Sequence, residues 1–142
     1  MTALVIDASV AVKWLVDEPG TDAAIVLLDE ELHAPDLIYA EVANILWKKQ
    51  VRGEVDPDIA AYSAEALTHV QMRVEPCALL AVDAVTLSVR LGHPAYDCFY
   101  LALARRVGAM LVTADKRLVA RCQQGDVRDL GSVVRLLAAS GH

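Results

Sequence analysis

Two short apolar runs constrain the fold of this chain more than any other feature. Residues 3–6 are Ala-Leu-Val-Ile and residues 109–113 are Ala-Met-Leu-Val-Thr, and neither run alternates with polar residues. Strands that are buried on both faces show this pattern, which is typical of a parallel sheet covered by helices. Each run is far shorter than the roughly 20 residues of a membrane-spanning helix. The runs therefore predict an α/β protein.

Segments with helical spacing separate these runs and several weaker strand signals. Together they predict a three-layer α/β/α sandwich with a short central parallel sheet and right-handed crossovers. A length of 142 residues suits one domain, which we expect to span residues 1–142. Weaker strands are predicted at 33–35, 73–76 and 127–128, and helices are predicted to start at Ser9, at 21 or 22, and at 113 or 115, and to span about 36–52, 56–71, 80–91, 94–107 and 130–139.

Four acidic residues stand where such a fold would bring them together. Asp7 ends the first apolar run, and Asp115 closely follows the second. Glu41 and Asp97 interrupt strongly apolar helical segments. An ionised carboxylate in apolar surroundings costs free energy unless a cation, a donor or water compensates it. Because ligands bind beyond the carboxyl ends of parallel strands, the four positions predict one shared cation.

The chemistry of these side chains indicates which cation they would bind. Carboxylates without an accompanying set of His or Cys residues favour Mg²⁺ or Mn²⁺ over zinc. Asp7, Asp97 and Asp115 are expected to bind the metal, whether one ion or two. Glu41 is expected to bind it through water or to assist proton transfer. Two hydroxyl residues are expected to hold carboxylates or waters in place: Ser9 and Thr113.

Each acid also has a purely structural interpretation. Asp7 and Asp115 could be N-caps of the helices that follow the two runs. Glu41 and Asp97 could pair with Lys48 or with arginines. Such roles explain single positions more readily than they explain four together.

Composition bears on possible partners. The net charge of -6 is unfavourable for a protein that coats nucleic acid, although bound cations would let a phosphodiester approach the acids. The apolar share of 56% exceeds the roughly 45–50% typical of soluble domains, so we expect a protein partner. A homodimer is a further expectation. The amino terminus lacks a basic segment, which predicts a cytoplasmic protein without a membrane span. Possible phosphate contacts are Lys13, Lys116 and Arg117.

Three cysteines complete the candidate reactive groups. Cys77, Cys98 and Cys122 are widely spaced and include no Cys-x-x-Cys pair. This spacing speaks against both a disulfide framework and a zinc site. We expect free and mostly buried thiols.

Four segments together resemble one known family. They are Val-Ile-Asp-Ala-Ser at 5–9, Glu-Val-Ala-Asn-Ile-Leu at 41–46, Tyr-Asp-Cys-Phe-Tyr-Leu-Ala-Leu-Ala at 96–104 and Leu-Val-Thr-Ala-Asp at 111–115. In order and spacing they resemble a PIN-domain protein of the VapC toxin type. The resemblance implies a metal-dependent endoribonuclease that cuts single-stranded or loop RNA and pairs with a cognate antitoxin. It matches Asp7, Glu41, Asp97 and Asp115 to the family's acidic quartet, with Ser9 and Thr113 beside it.

Two other functions remain as alternatives. An aspartyl-nucleophile phosphatase also begins with an aspartate after a buried strand, but it needs a second acid where Ser9 stands. A catalytically inactive scaffold of the same fold could bind RNA or protein. Four clustered negative charges would not help such a module to bind RNA.

Overall fold

A five-stranded parallel sheet forms the centre of the protein in the computed structural model, which describes residues 1–138. Its spatial order is β3-β2-β1-β4-β5, and Ile6 of β1 lies opposite Val112 of β4. The chain moves to one side of β1 for β2 and to the other side for β4, so the carboxyl ends of β1 and β4 flank a switch point. The strands are β1 (Ala3–Ile6), β2 (Glu31–Pro35), β3 (Arg73–Glu75), β4 (Met110–Thr113) and β5 (Val134–Leu136).

Seven α-helices in residues 1–138 connect and cover these strands. The prediction of an α/β sandwich with a parallel central sheet is confirmed. No helix in this part of the chain is both long and apolar enough to cross a membrane. The helices are α1 (Ala8–Leu15), α2 (Thr21–Val26), α3 (Leu37–Val51), α4 (Pro57–Leu67), α5 (Ala81–Leu91), α6 (Ala95–Val107) and α7 (Lys116–Cys122), with 3-10 turns at Leu27–Asp29, Cys77–Leu79 and Gly125–Ser132.

The core lies between the central strands and α6. Val5 and Ile6 of β1 and Leu111 and Val112 of β4 are fully buried, which explains the absence of polar alternation in both runs. Helix α6 contacts β1, β2, β4 and α5, and its residues from Tyr100 to Ala104 are all buried. This burial agrees with the apolar residues that the sequence distributes around the whole of that helix.

The predictions for the last segment were wrong. The expected strand at 127–128 and the start of the expected helix at 130–139 are replaced by the 3-10 turn Gly125–Ser132 and by β5. The outer edge of β4 decides this outcome, because its backbone groups need partners. Leu111 N donates to Val133 O at 2.7 Å, and Leu137 N donates to Thr113 O at 2.7 Å. The end of the expected helix, Ala139, lies outside the described residues.

Candidate active site

Asp7 is positioned by the junction between β1 and α1. Its backbone is extended, with φ -95° and ψ 176°, and its side chain caps α1 by accepting a hydrogen bond from Val10 N at 3.3 Å. Ser9, the predicted N-cap, lies inside the helix instead. Its hydroxyl donates to Asp7 Oδ1 at 2.6 Å. The Ser9 prediction was therefore wrong as a cap, but the side chain contacts the acid that it was expected to support.

Thr113 links the end of β4 to the same carboxylate. Its Oγ1 donates to Asp7 Oδ2 at 2.5 Å and accepts a hydrogen bond from Asp115 N at 3.0 Å. Ala114 N donates to Ser9 Oγ at 2.9 Å. These bonds join the ends of the two central strands, so the carboxylate of Asp7 is oriented by uncharged donors only.

Asp115 begins the helix that follows β4. Its Oδ1 accepts hydrogen bonds from Arg117 N at 2.9 Å and Leu118 N at 3.3 Å. Asp7 and Asp115 are thus both N-caps, as the structural interpretation proposed. Capping does not remove either acid from the site, since both line the same cavity.

The two helical acids contact neutral or titratable groups rather than lysines or arginines. Asp97 Oδ2 lies 2.6 Å from His93 Nε2, and Tyr100 OH donates to Glu41 Oε1 at 2.7 Å. Within residues 1–138 neither acid forms an ion pair with a lysine or an arginine. The proposed pairing of these acids with Lys48 or with arginines was therefore wrong.

His93 and Tyr100 were not predicted to contact the acids of the site. The four-residue spacing between His93 and Asp97 was a signal for the first contact. The buried hydroxyl of Tyr100 in an apolar helix was a signal for the second, because buried polar groups require partners.

One cavity of about 530 Å³ brings the acids together. Its lining includes all four acids: Asp7, Glu41, Asp97 and Asp115. Of the expected phosphate contacts, Lys13 does not line it, since its ammonium donates to Glu18 Oε1 at 3.0 Å and to Pro19 O at 2.7 Å. Lys116 and Arg117 are exposed beside Asp115, outside the lining. The cavity also contains Asn44 and Lys48.

Burial and the charge of Asp97 shift Asp7 and Glu41 toward protonation. Burial raises the pKa of Asp7 to about 6, against the hydrogen bonds from Ser9 and Thr113, and the charge of Asp97 adds to the rise. Burial also raises the pKa of Glu41, and Asp97 adds to it, while the hydrogen bond from Tyr100 acts in the opposite direction. A nearby cation would lower both pKa values.

The donor set fits a hard divalent cation by its chemistry. Carboxylate oxygens surround the cavity, and Asp7 is already oriented by hydroxyls, as metal-binding carboxylates usually are. In residues 1–138, however, no three or more His, Cys, Asp or Glu side chains form a group that could hold an ion as they stand. Binding would therefore require side chains to reorient, and Asp97 would exchange its contact with His93.

Known proteins are similar to this chain over the segment that contains the site. The PIN domain family model matches residues 4–122, which contain all four acids. Ribonuclease VapC3 of Pyrobaculum aerophilum is 37% identical over 119 residues, covering 81% of this chain and 91% of that protein. The crystal structure of PAE2754 from the same organism has a TM-score of 0.67 at 26% identity, covering 84% of this chain and 79% of that one. Mycobacterium tuberculosis VapC20, a sarcin-ricin loop cleaving toxin, has a TM-score of 0.65 at 17% identity, covering 82% and 93%.

Proposed function

The chain belongs to the PIN-domain family and, within it, to the VapC ribonucleases, and on that premise we propose that it is a divalent-metal-dependent endoribonuclease that cleaves single-stranded or loop RNA. One observation carries the proposal. Four acids, two within α3 and α6 and two at the N-caps of α1 and α7, line one cavity, and within residues 1–138 none of them pairs with a lysine or arginine side chain. Unneutralised carboxylates are costly for a core but useful for binding a cation.

The proposed ligands are Asp7, Asp97 and Asp115, and the proposed ion is Mg²⁺ or Mn²⁺. When bound, such an ion orients a phosphate, stabilises its developing charge and lowers the pKa of an attacking water. Ser9 and Thr113 keep the carboxylate of Asp7 in one orientation through their hydroxyl donors.

Glu41 is the proposed proton acceptor. The hydroxyl of Tyr100 occupies its Oε1, so Oε2 is the oxygen that remains to bind an attacking water or its proton. Burial raises the pKa of Tyr100, which therefore stays protonated and continues to donate. Burial raises the pKa of Glu41 and so favours proton uptake by its carboxylate, whereas a bound cation would act in the opposite direction.

The proposal extends to partners and location. We propose an RNA substrate contacted at the start of α7 by Lys116 and Arg117, a cognate antitoxin, a homodimer, and a cytoplasmic protein built as one domain. Exposed apolar side chains support a protein partner, since Trp47 is 58% exposed and Val51 is 63% exposed. Trp14, by contrast, packs against the core, and its Nε1 donates to Ala24 O at 2.7 Å.

The test is RNA cleavage by the purified full chain. Structured RNA is incubated with the wild type in Mg²⁺, Mn²⁺ or EDTA, and with Asp97→Asn in Mg²⁺ or Mn²⁺. The proposal expects cleavage only by the wild type with a divalent ion. Asp56→Asn is the matched control, because Asp56 is exposed at the start of α4 and outside the cavity.

Two results would reject the proposal. Cleavage that is equal in all samples indicates a contaminating nuclease. No cleavage by any sample, together with RNA or protein binding, favours the inactive scaffold.

A further inference from the structure

Helix α3 forms a wall of the cavity, and apart from Glu41 its residues have no part in the proposed metal chemistry. It contributes Asn44 and Lys48 as polar groups and Leu37 and Ile45 as apolar groups. Glu41, Asn44 and Lys48 follow one another at three- and four-residue spacing, so they share one face of the helix. Along the axis, Lys48 stands roughly 10 Å beyond Glu41, at 1.5 Å per residue.

Among residues 1–138, Lys48 is the one basic residue that lines the cavity. Within residues 1–138 it forms no ion pair, whereas the adjacent Lys49 binds Glu18 and Arg52 lies 4.0 Å from Glu54. Lys48 is exposed and lies two helical turns beyond Glu41 along α3. An available cation beside an acidic site is suited to a second, neighbouring phosphate rather than to the phosphate that the acids would hold.

Tyr96 supplies an aromatic surface at the same cavity. Tyr96 is 64% exposed and lies in the first turn of α6, next to Asp97. Every base presents a ring face, and base–aromatic stacking typically changes single-strand affinity by about 5- to 150-fold. The apolar side chains of Leu37 and Ile45 extend the surface against which a nucleotide would pack.

We propose that this wall, together with Tyr96 of α6, binds the nucleotide next to the scissile phosphate. Lys48 binds the flanking phosphate, Tyr96 stacks on a base, and the amide of Asn44 hydrogen-bonds the sugar or base between them. The wall would then hold a single strand rather than a duplex, since only an unpaired base leaves its face open for stacking. This assignment rests on the proposed RNA-cleaving function and names the part of the substrate that the cavity recognises.

The decisive variant is Lys48→Gln, with Arg52→Gln, at the C-cap of the same helix, as the matched control. Both remove one positive charge, but Arg52 lies outside the cavity lining and its side chain is 69% exposed. Cleavage kinetics and fluorescence anisotropy are measured on a labelled single-stranded RNA of about eight nucleotides, the binding in EDTA to prevent cleavage. Thermal unfolding checks that each variant is folded.

The expected result separates Lys48 from a general charge effect. Lys48→Gln should raise KM about tenfold with little change in kcat, because the lost contact is to a flanking group and not to the reacting phosphate. The logarithmic salt dependence of binding should become shallower by about 0.7, the value of one phosphate contact on a single strand. Arg52→Gln should change neither quantity. Equal effects of the two variants, or no effect of Lys48→Gln, would overturn the role of Lys48.

Tyr96 is tested with the ring kept and removed. Tyr96→Phe should bind like the wild type, whereas Tyr96→Leu should lose at least about fivefold in affinity with an unchanged salt dependence. An RNA with an abasic nucleotide at the stacking position should bind both variants equally. If Tyr96→Leu discriminates between the intact and the abasic RNA as the wild type does, the stacking role is rejected.

These results are distinguishable from failure of the proposed function. If the wild type cleaves RNA but Lys48→Gln and Tyr96→Leu behave like it, the function stands and the wall does not bind the flanking nucleotide. If the wild type cleaves nothing with Mg²⁺ or Mn²⁺, the proposed function fails, and the anisotropy series alone decides whether Lys48 binds RNA.

Discussion

Two acidic residues near the two ends of α1 have opposite surroundings. Glu18, beyond the carboxyl end, accepts hydrogen bonds from Lys13 Nζ at 3.0 Å and Lys49 Nζ at 2.5 Å. Burial alone would raise its pKa, but the bonds and charges of the two ammonium groups outweigh burial and lower the pKa below its usual range. This carboxylate is neutralised by the fold itself, and it ties α1 to α3.

Asp7, at the amino end, is more deeply buried and receives no such compensation. Its hydrogen-bond partners are hydroxyls and a backbone amide. Burial raises its pKa to about 6, and the charge of Asp97 adds to the rise. Glu18 therefore has lysine partners that serve the fold, whereas Asp7, which faces the cavity, has only orienting donors. The difference agrees with the proposed roles of the two acids: a permanent partner for Glu18 and an exchangeable cation for Asp7.

The largest expected effect is on catalysis, and it follows from substitution of Asp7, the acid without a lysine partner. Asp7→Asn should lower RNA cleavage in Mg²⁺ by at least about 100-fold, since even groups that only support a metal ligand typically contribute 10–100-fold. Asparagine is an equally good N-cap, so α1 should persist. Initial rates on a labelled RNA, beside Asp56→Asn, measure the effect. Wild-type cleavage rates for this variant would show that Asp7 has no role in catalysis.

The same substitution should stabilise the protein without metal. A pKa raised from 3.8 to about 6 means that the folded state disfavours the ionised form, so stability is lost as the pH rises through this window. Asp7→Asn should therefore be more stable by up to about 3 kcal/mol above pH 6, at 1.36 kcal/mol per pKa unit, with almost no difference below pH 3.8. Urea unfolding in EDTA at several pH values tests this. If the variant were less stable than the wild type at neutral pH, the ionised carboxylate of Asp7 would not destabilise the fold as argued.

Glu18→Gln should have the opposite sign. Removing the acid leaves two ammonium groups without their partner, and we expect a loss of about 1–2 kcal/mol at pH 7, less than for a fully buried pair because the cluster is partly exposed. A lowered pKa stabilises the fold above 4.5, so the difference should disappear as the pH falls below that value. Urea unfolding at pH 7 and below pH 4.5 provides the measurement. RNA cleavage by the variant should stay within a fewfold of the wild type.

The smallest expected effect is stabilisation by the ion. At ten times its dissociation constant, Mg²⁺ or Mn²⁺ should stabilise the wild type by about 1.4 kcal/mol. The variants Asp7→Asn and Asp97→Asn should respond less, while Glu18→Gln should respond as the wild type does. Thermal unfolding with increasing ion concentration is sufficient. An equal response of all four proteins would indicate that the ion binds elsewhere.

How far the sequence predicted the structure depends on the segment. The two apolar runs became the adjacent central strands, because a short run without polar alternation has few other stable uses. Residues 127–136 were misassigned because Val127, Leu130 and Val134 suit several short structures, and pairing with β4 selected among them. Local propensity could not supply that partner.

The candidate site divides in the same way. The four acids were recognisable because ionisable residues in apolar contexts are rare without a reason. The contacts from His93 and Tyr100 were not predicted. Tyr100 and Glu41 are 59 residues apart, and only the packing of α6 against the sheet brings the hydroxyl to the carboxylate.

The sequence by itself determined the α/β architecture and the identity of the acids, because hydrophobic periodicity and the cost of buried charge are local properties of the chain. Tertiary structure alone decided which acids are compensated: Glu18 meets Lys49, 31 residues away, and Asp7 meets Thr113, 106 residues away. Electrostatic neutralisation acts over a few ångströms of space, and distance along the chain does not predict it.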